Sequence, residues 1–557
     1  MNTIKISLLT AFLGLFLASC NTAVAPIVST PIESIDTMPI KTAPLSQEQY
    51  KDWMLADFTR DTIPGMSVER AYAEILDKRK GKTVIVGVID SGVDIEHEDL
   101  RDVIWVNEDE IPGNGKDDDN NGYVDDVHGW NFLGDIVAEN MEYIRFIKKL
   151  KPKFEGKSES SISAADRADY EIYIRAMAEY EADYQQALSN KLQYAQLLKQ
   201  LQPAHEAIAS KLGKEDYTQE DLSGIKQASA TEQQYIGMLS QMLNYGDTIP
   251  DLIKQLKDGV AYFDGRLENH FNFDKNFRTV LGDDPDDFSS KYYGNNDVDG
   301  PEVDEAHSMH GTHVAGIIAA TRNNNIGIDG VAKNVEIMPI RAVPDGDEYD
   351  KDVALAIRYA VDNGAKVINA SFGKQFSPHP EWVHDAIKYA ESKDVLLVIG
   401  AGNDGVDLDQ TITYPSDQDK AGPERSGNVI MVGAINYKYG SDLVANFSNY
   451  GKTSVDVFAP GVKIYSTTPL NTYEYQQGTS MAAPAVAGVA ALIRSYYPQL
   501  SAKEVKKVIM DSGLTSKTPV ILGGDPSRQS NFSEVSKSGK MVNLYNALIM
   551  ADKLSRL

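Results

Sequence analysis

The sequence predicts a doubly wound α/β domain with a mostly parallel sheet, interrupted by a long helical insertion. Three observations predict it. Short apolar, β-branched runs recur at residues 82–90, 335–341, 365–370, 395–399 and 429–432, as expected of strands buried on both faces. Helical stretches alternate with them, notably 352–363, 384–392 and 479–497, which is the pattern of strand–helix–strand crossovers. A region of different character lies between. Residues 157–212 contain no Gly and a single Pro, Pro203, while Tyr170, Tyr173, Met177, Tyr180, Tyr184 and Ala187 recur at helical spacing.

Taken in order, the chain begins with Lys5 and an apolar run over 6–18 that leads into Leu17-Ala18-Ser19-Cys20. At about 13 residues the run is too short to cross a bilayer as a helix and fits the apolar part of an export signal. The four residues ending at Cys20 resemble a bacterial lipobox. That resemblance makes 1–19 a lipoprotein signal peptide and Cys20 the lipidated residue, which places the protein in a bacterial envelope. Asn21-Thr22-Ala23 carries no acidic run, which favours a periplasm-facing or outer-membrane anchor. Residues 20–50, rich in Pro, Thr and Ser, read as a tether, and 68–80 as an amphipathic helix. The α/β body is expected in two parts, 51–134 and 279–557, with 135–278 inserted between them. In the insertion, a stretch near 231–243 is expected to fold back on the long helix, with the tyrosine stripe as a packing seam.

Composition narrows the function. Of 557 residues, 42% are hydrophobic and 24% charged, ordinary for a globular protein. The formal net charge of −27 argues against a nucleic-acid partner, because phosphate binding needs clustered positive potential. It suits cationic partners, bound divalent cations, or solubility alone. Cys20 is the only cysteine, so the mature body has no disulfide.

Three motifs carry chemistry. Asp90-Ser91-Gly92-Val93-Asp94 ends the first buried run. His310-Gly311-Thr312-His313-Val314-Ala315-Gly316 and Gly478-Thr479-Ser480-Met481-Ala482-Ala483-Pro484 each open a helix. Strand ends and helix starts meet along the carboxyl edge of an open α/β sheet, where sites form. A serine hydroxyl needs a neighbouring base to become a nucleophile; imidazole suits that role, with a carboxylate behind it to fix the tautomer. Ser480 at a helix start sits among unpaired N–H groups and the positive end of the dipole. Asn403, in Ile399-Gly400-Ala401-Gly402-Asn403-Asp404-Gly405, offers an amide donor at a loop top. Each residue alone also reads as a loop Asp, a buried His or a helix cap. The set, in order, is what argues for catalysis.

These motifs resemble the subtilase (subtilisin-like) serine peptidase family, which has Asp, His and Ser in this chain order. The resemblance implies that Asp90 orients, His310 is general base and acid, Ser480 attacks, and Asn403 with the Ser480 amide binds the oxyanion. It implies a serine endopeptidase acting on protein or peptide substrates, with no organic cofactor. By the same resemblance Ser371-Phe372-Gly373 pairs with substrate and lines one S1 wall. Ala401 and Gly402 line the other, Thr413 lies at the base, and His313 is structural. The competing class is a catalytically silent peptide-binding lipoprotein with the same fold, which nothing in the sequence favours.

Residues 117–126 resemble the first part of a calcium loop, with Asp117, Asp119, Asn121, Tyr123 (through its carbonyl) and Asp125 as ligands. Position twelve is His128 rather than Glu, so the bidentate ligand is missing unless Asp126 supplies it. Two readings stand: structural calcium, or a solvated acidic turn. The acidic stretch 283–305 reads as a solvated surface loop, with a second calcium site as the alternative.

Overall fold

The structure, a computed structural model, describes residues 26–557 except 34, 37, 39–40, 42, 78, 245–247, 302–306 and 419–421. The expected signal peptide, 1–19, and Cys20, the expected lipidated residue, lie outside the described residues. The body is built on a seven-stranded sheet in the order β2-β3-β1-β4-β5-β6-β7. Its strands are β1 (Val84–Asp90), β2 (Trp130–Asn131), β3 (Val335–Arg341), β4 (Val367–Ala370), β5 (Leu396–Gly400), β6 (Val429–Ile435) and β7 (Val457–Pro460). Every pairing in it is parallel, and the strands are buried on both faces almost throughout. That burial is why they read as continuous apolar runs. β2, β7 and two hairpins (Ile464–Thr468 with Thr472–Gln476, Pro519–Leu522 with Asp525–Asn531) were not expected.

The chain leaves β1 to form β3 on one side, then crosses over to build β4 to β7 on the other. The carboxyl end of β1 is therefore the switch point of the sheet, where crevices open in folds of this kind. Asp90 is the last residue of that strand. The Thr479–Tyr496 helix runs through the centre with nearly every residue buried, and the Met309–Ala319 helix packs against it.

The insertion departs in detail from its sequence reading. The long helix spans Arg167–Leu212, preceded by short turns. Ala230–Leu243 packs on its distal half, but the main return is a further helix, Ile249–Gly265. Gly259 and Gly265 weaken the helical signal of that segment. At Gly259 a Cβ would stand 2.2 Å from the Tyr194 ring, so close helix packing requires the residue that hides the helix. The tyrosine stripe is a packing seam: Tyr173 and Ala187 are buried with Phe263 and Phe271, and Tyr170, Met177, Tyr180 and Tyr184 pack around them.

Three further differences have local causes. The helix read over 68–80 is a single turn, Val68–Ala71, followed by a wider π turn over Tyr72–Leu76. The tether is laid against the body from Ile27: the Ile27 and Ile32 amides donate to Asp552 and Asn546 at 3.0 and 2.8 Å, and Ile35 is buried. Asp283 is no solvated residue. It is buried between Arg278 and Lys351 at 2.8 and 2.5 Å, because two buried cations need its charge.

Candidate active site

Asp90 and His310 meet because two elements approach closely. The helix carrying His310 lies against the end of β1, and at Gly311 a Cβ would stand 2.1 Å from the Gly92 carbonyl oxygen. Only glycine permits that approach. His310 Nδ1 donates to Asp90 Oδ1 at 2.7 Å, and the same carboxylate accepts the Ser91 amide at 2.8 Å. Burial acts to lower the imidazole's pKa, but the Asp90 charge and hydrogen bond outweigh it and hold His310 above its ordinary value. His313, one helical turn on, is wholly buried, with Nε2 against the carbonyls of Ile464 and Glu474 at 3.1 and 3.2 Å. Burial pushes its pKa down to about 3, so it is a neutral structural donor.

Ser480 occupies the second position of its helix, where backbone N–H groups have no intrahelical partner. Its hydroxyl donates to the Ser371 carbonyl at 3.1 Å, and Ser371 Oγ donates back to the Ser480 carbonyl at 2.9 Å. That carbonyl is free because Pro484, four residues on, has no N–H to bond it. A proline inside the helix thus leaves the acceptor that anchors the Ser371-Phe372-Gly373 segment. Ser480 and His310 line the same cavity, with no hydrogen bond between them among the described residues.

Asn403 is fixed by Thr479. Its Oδ1 accepts from the Thr479 amide at 2.9 Å and the Thr479 hydroxyl at 3.1 Å, so the amide's NH₂ end is left for the cleft. Thr479 Oγ1 also accepts the Gly402 amide at 3.0 Å. Asn449 holds the other side of this loop, donating to the carbonyl of Ala401 and accepting from the amides of Asp404 and Val406. Thr479 and Asn449 are positioning residues that the sequence did not assign, although Thr479 lies in the short motif that carries Ser480.

Ser371, Phe372, Gly373, Gly402, Asn403 and Thr413 all line one cavity of about 1200 Å³, together with Asp90, His310 and Ser480. Ala401 does not face it; the residue is fully buried behind the wall. The insertion supplies much of the remaining wall, including Met141 and Tyr143 near its start and Asp258 and Tyr262 on its return helix. It touches the body on both rims: Arg175 donates to the Gln375 carbonyl at 3.0 Å, and Lys254 pairs with Glu474 at 3.6 Å.

The acidic loop is arranged differently from its expected ligand set. Asp117 accepts the amides of Asn121 and Gly122, Asn121 Oδ1 accepts the Tyr123 amide, and Asp125 accepts those of Asn114 and Gly115. Tyr123 itself is buried among aromatic rings. Of the five expected ligands, only Asp119 joins a convergent group. Its partners are Glu110 and Asp126, with donor oxygens all within 4.8 Å of one another. Burial pushes Asp126 up to about 6. Glu110 is buried, and its Oε2 has no hydrogen-bond partner. Three hard oxygen donors, one of them orphaned, fit a calcium ion. Glu110 lies upstream of the motif, where sequence spacing gave no signal.

The chain is similar to known proteins. The family model described as "Subtilase family" matches residues 81–194 and 200–534. A thermophilic serine proteinase from a Bacillus species is 47% identical over 187 residues, covering 33% of this chain and 42% of that protein. Subtilisin DY from Bacillus licheniformis is 39% identical over 38% of this chain and 72% of its own length. The chain thus spans less than half of the first relative and about seven-tenths of the second. Among solved structures, proteases from Pseudoalteromonas arctica are 30% identical, with 43% of this chain and 70% of that chain covered and a TM-score of 0.36.

Proposed function

The chain belongs to the subtilase family of serine peptidases, and from that premise we propose that it hydrolyses internal peptide bonds through an acyl-enzyme at Ser480. The observation that carries this reading is the 2.7 Å bond from His310 to buried Asp90 in the cavity that also holds Ser480. Asp90 fixes the imidazole tautomer, and His310 takes the Ser480 proton and returns it to the leaving amine. The step requires the Ser480 hydroxyl to leave the Ser371 carbonyl and turn to His310. Asn403 Nδ2 and the Ser480 amide receive the oxyanion; an amide donor of this kind lowers the barrier by about 3–4 kcal/mol, a figure measured in subtilisin. Substrate backbone lies along Ser371-Phe372-Gly373.

Substrates are proteins or peptides. The N-terminal sequence supports a bacterial lipoprotein anchored through Cys20 to a periplasm-facing or outer membrane. Among the described residues no helix is long and apolar enough to cross a membrane. Glu110, Asp119 and Asp126 would hold a structural calcium, offsetting the repulsion of three carboxylates brought together.

A fluorophosphonate probe tests the catalytic reading. The intact protein takes up the label and cleaves casein, and Ser480→Ala does neither. An unlabelled, inert wild-type protein that retains its fold would leave the silent peptide-binding alternative in its place.

A further inference from the structure

The return helix of the insertion, Ile249–Gly265, presents two different faces. Ile253, Leu256 and Phe263 are buried in the clusters it shares with the long helix. Lys254, Asp258, Ala261, Tyr262 and, just past the helix end, Arg266 line the cavity that Asp90, His310 and Ser480 also line. Steps of three and four residues put all five on one stripe. At about 1.5 Å of rise per residue the stripe is about 18 Å long, the length of about five residues of extended chain. Tyr262, near its middle, is 54% exposed, an aromatic ring left open to the cleft.

The two ends of the stripe are held very differently. Arg266 pairs with Asp183 at 3.4 Å, and Asp183 accepts the Tyr143 hydroxyl at 2.8 Å. That end is tied firmly to the rim that continues from Ser371-Phe372-Gly373. Tyr143 and Phe146 pack on Phe376, and the Arg175 guanidinium lies 3.9 Å from the centre of the same ring. Beneath them Lys374 is buried between Glu142 and Asp350 at 2.8 and 3.0 Å. At the other end Lys254 meets Glu474, on the hairpin strand that precedes Ser480, through a 3.6 Å pair between exposed side chains. Exposed pairs of that kind contribute little.

We propose that the return helix is a roof over the cleft, which admits one extended strand of unfolded polypeptide and turns away the surface loops of folded proteins. This rests on the peptidase reading above and names its substrate class: peptides and unfolded chains. A loop on a folded protein brings that protein's bulk with it, and the roof stands where the bulk would go. A lone strand lies between Ser371-Phe372-Gly373 and the stripe, and the Tyr262 ring gives it a broad contact that does not depend on a particular side chain. Firm anchoring at one rim and a weak exposed pair at the other make the Lys254 end the one that lifts.

The experiment uses the intact protein and one cleavable sequence offered in two forms: a free internally quenched peptide, and a surface loop of a stably folded carrier domain. In the wild type kcat/KM for the peptide exceeds that for the loop by at least about tenfold, because the loop is cut only when the carrier opens. Any peptidase favours a flexible chain, so the variants carry the test. Lys254→Glu sets two carboxylates against each other at the far rim and narrows the gap by about 3- to 10-fold. Tyr262→Ala also narrows it, and raises KM for the free peptide more than it lowers kcat. Both forms carry the same sequence, so a general loss of activity or a change in charge preference cancels in the ratio. A wild-type gap of less than about tenfold, or a gap that neither variant moves, overturns the proposal. Fluorophosphonate labelling run in parallel separates the failures: an overturned roof with normal labelling leaves the peptidase reading intact, and absent wild-type labelling sinks that reading itself.

Discussion

His310 sits under two opposing influences. Burial disfavours its charged form, and the carboxylate of Asp90 at 2.7 Å favours it more. The pKa is raised, so the imidazole keeps its proton to higher pH than a free histidine does. A general base must be neutral, so the rate falls as pH drops through that raised value. The acid limb of kcat/KM is therefore expected above pH 6.5, the ordinary histidine value. Asp90→Asn removes the main cause of the shift; in a pH–rate series its limb moves down and its rate drops steeply. A wild-type limb at or below the ordinary value would show that Asp90 does not govern the base. The same shift stabilises the fold below pH 6.5, a contribution lost as pH rises through the raised value. Residue identities here were legible in the sequence: Asp90, His310, Ser480 and Asn403 stand in short, distinctive motifs. Thr479 and Asn449 were not assigned, because a residue that acts by holding a neighbour has no signature apart from the contact itself.

Among the elements, the helix that carries His310 depends on a missing side chain. With Gly311 replaced by Ala, the new Cβ meets the Gly92 carbonyl at 2.1 Å, and backbone cannot yield as a flexible side chain would. Gly311→Ala is expected to cost about 1–3 kcal/mol by overpacking and to push His310 off Asp90. Thermal melts and fluorophosphonate labelling together report both effects; normal labelling rates would mean the helix accommodates the methyl without moving the base. The acidic loop makes a second prediction. Calcium raises the melting temperature of the wild type, and chelation lowers it, because three carboxylates converge there and repel one another. Glu110→Gln and Asp119→Asn each reduce the calcium response. A melting temperature indifferent to both calcium and chelator would return the loop to a solvated acidic turn.

At the scale of the whole molecule, stability is distributed unevenly. The body has one continuous core that runs from Ile35 to Ala551. The insertion has two small ones: a proximal cluster around Tyr173 and Phe271, and a distal cluster around Leu201, Ile208, Leu239 and Ile253. Small clusters with much exposed backbone open first. Hydrogen exchange is expected to be fastest in the distal part of the insertion, slower in the proximal part beside the cleft, and slowest in β1 and the Thr479–Tyr496 helix. Equal protection of the distal cluster and the sheet would mean that insertion and body unfold as one unit.

The sequence by itself determined the sheet, the order of the triad motifs and the presence of a helical insertion. These depend on local periodicity and on short motifs, and both are written in consecutive residues. Only the tertiary structure decided which carboxylates converge in the acidic loop, how the insertion lines the cleft, and that the segment from Ile27 lies against the C-terminal helix. Those outcomes depend on side chains far apart in the chain competing for the same partners. Asp117 and Asp125 turn to nearby amides, and distant Glu110 is left with an oxygen to share.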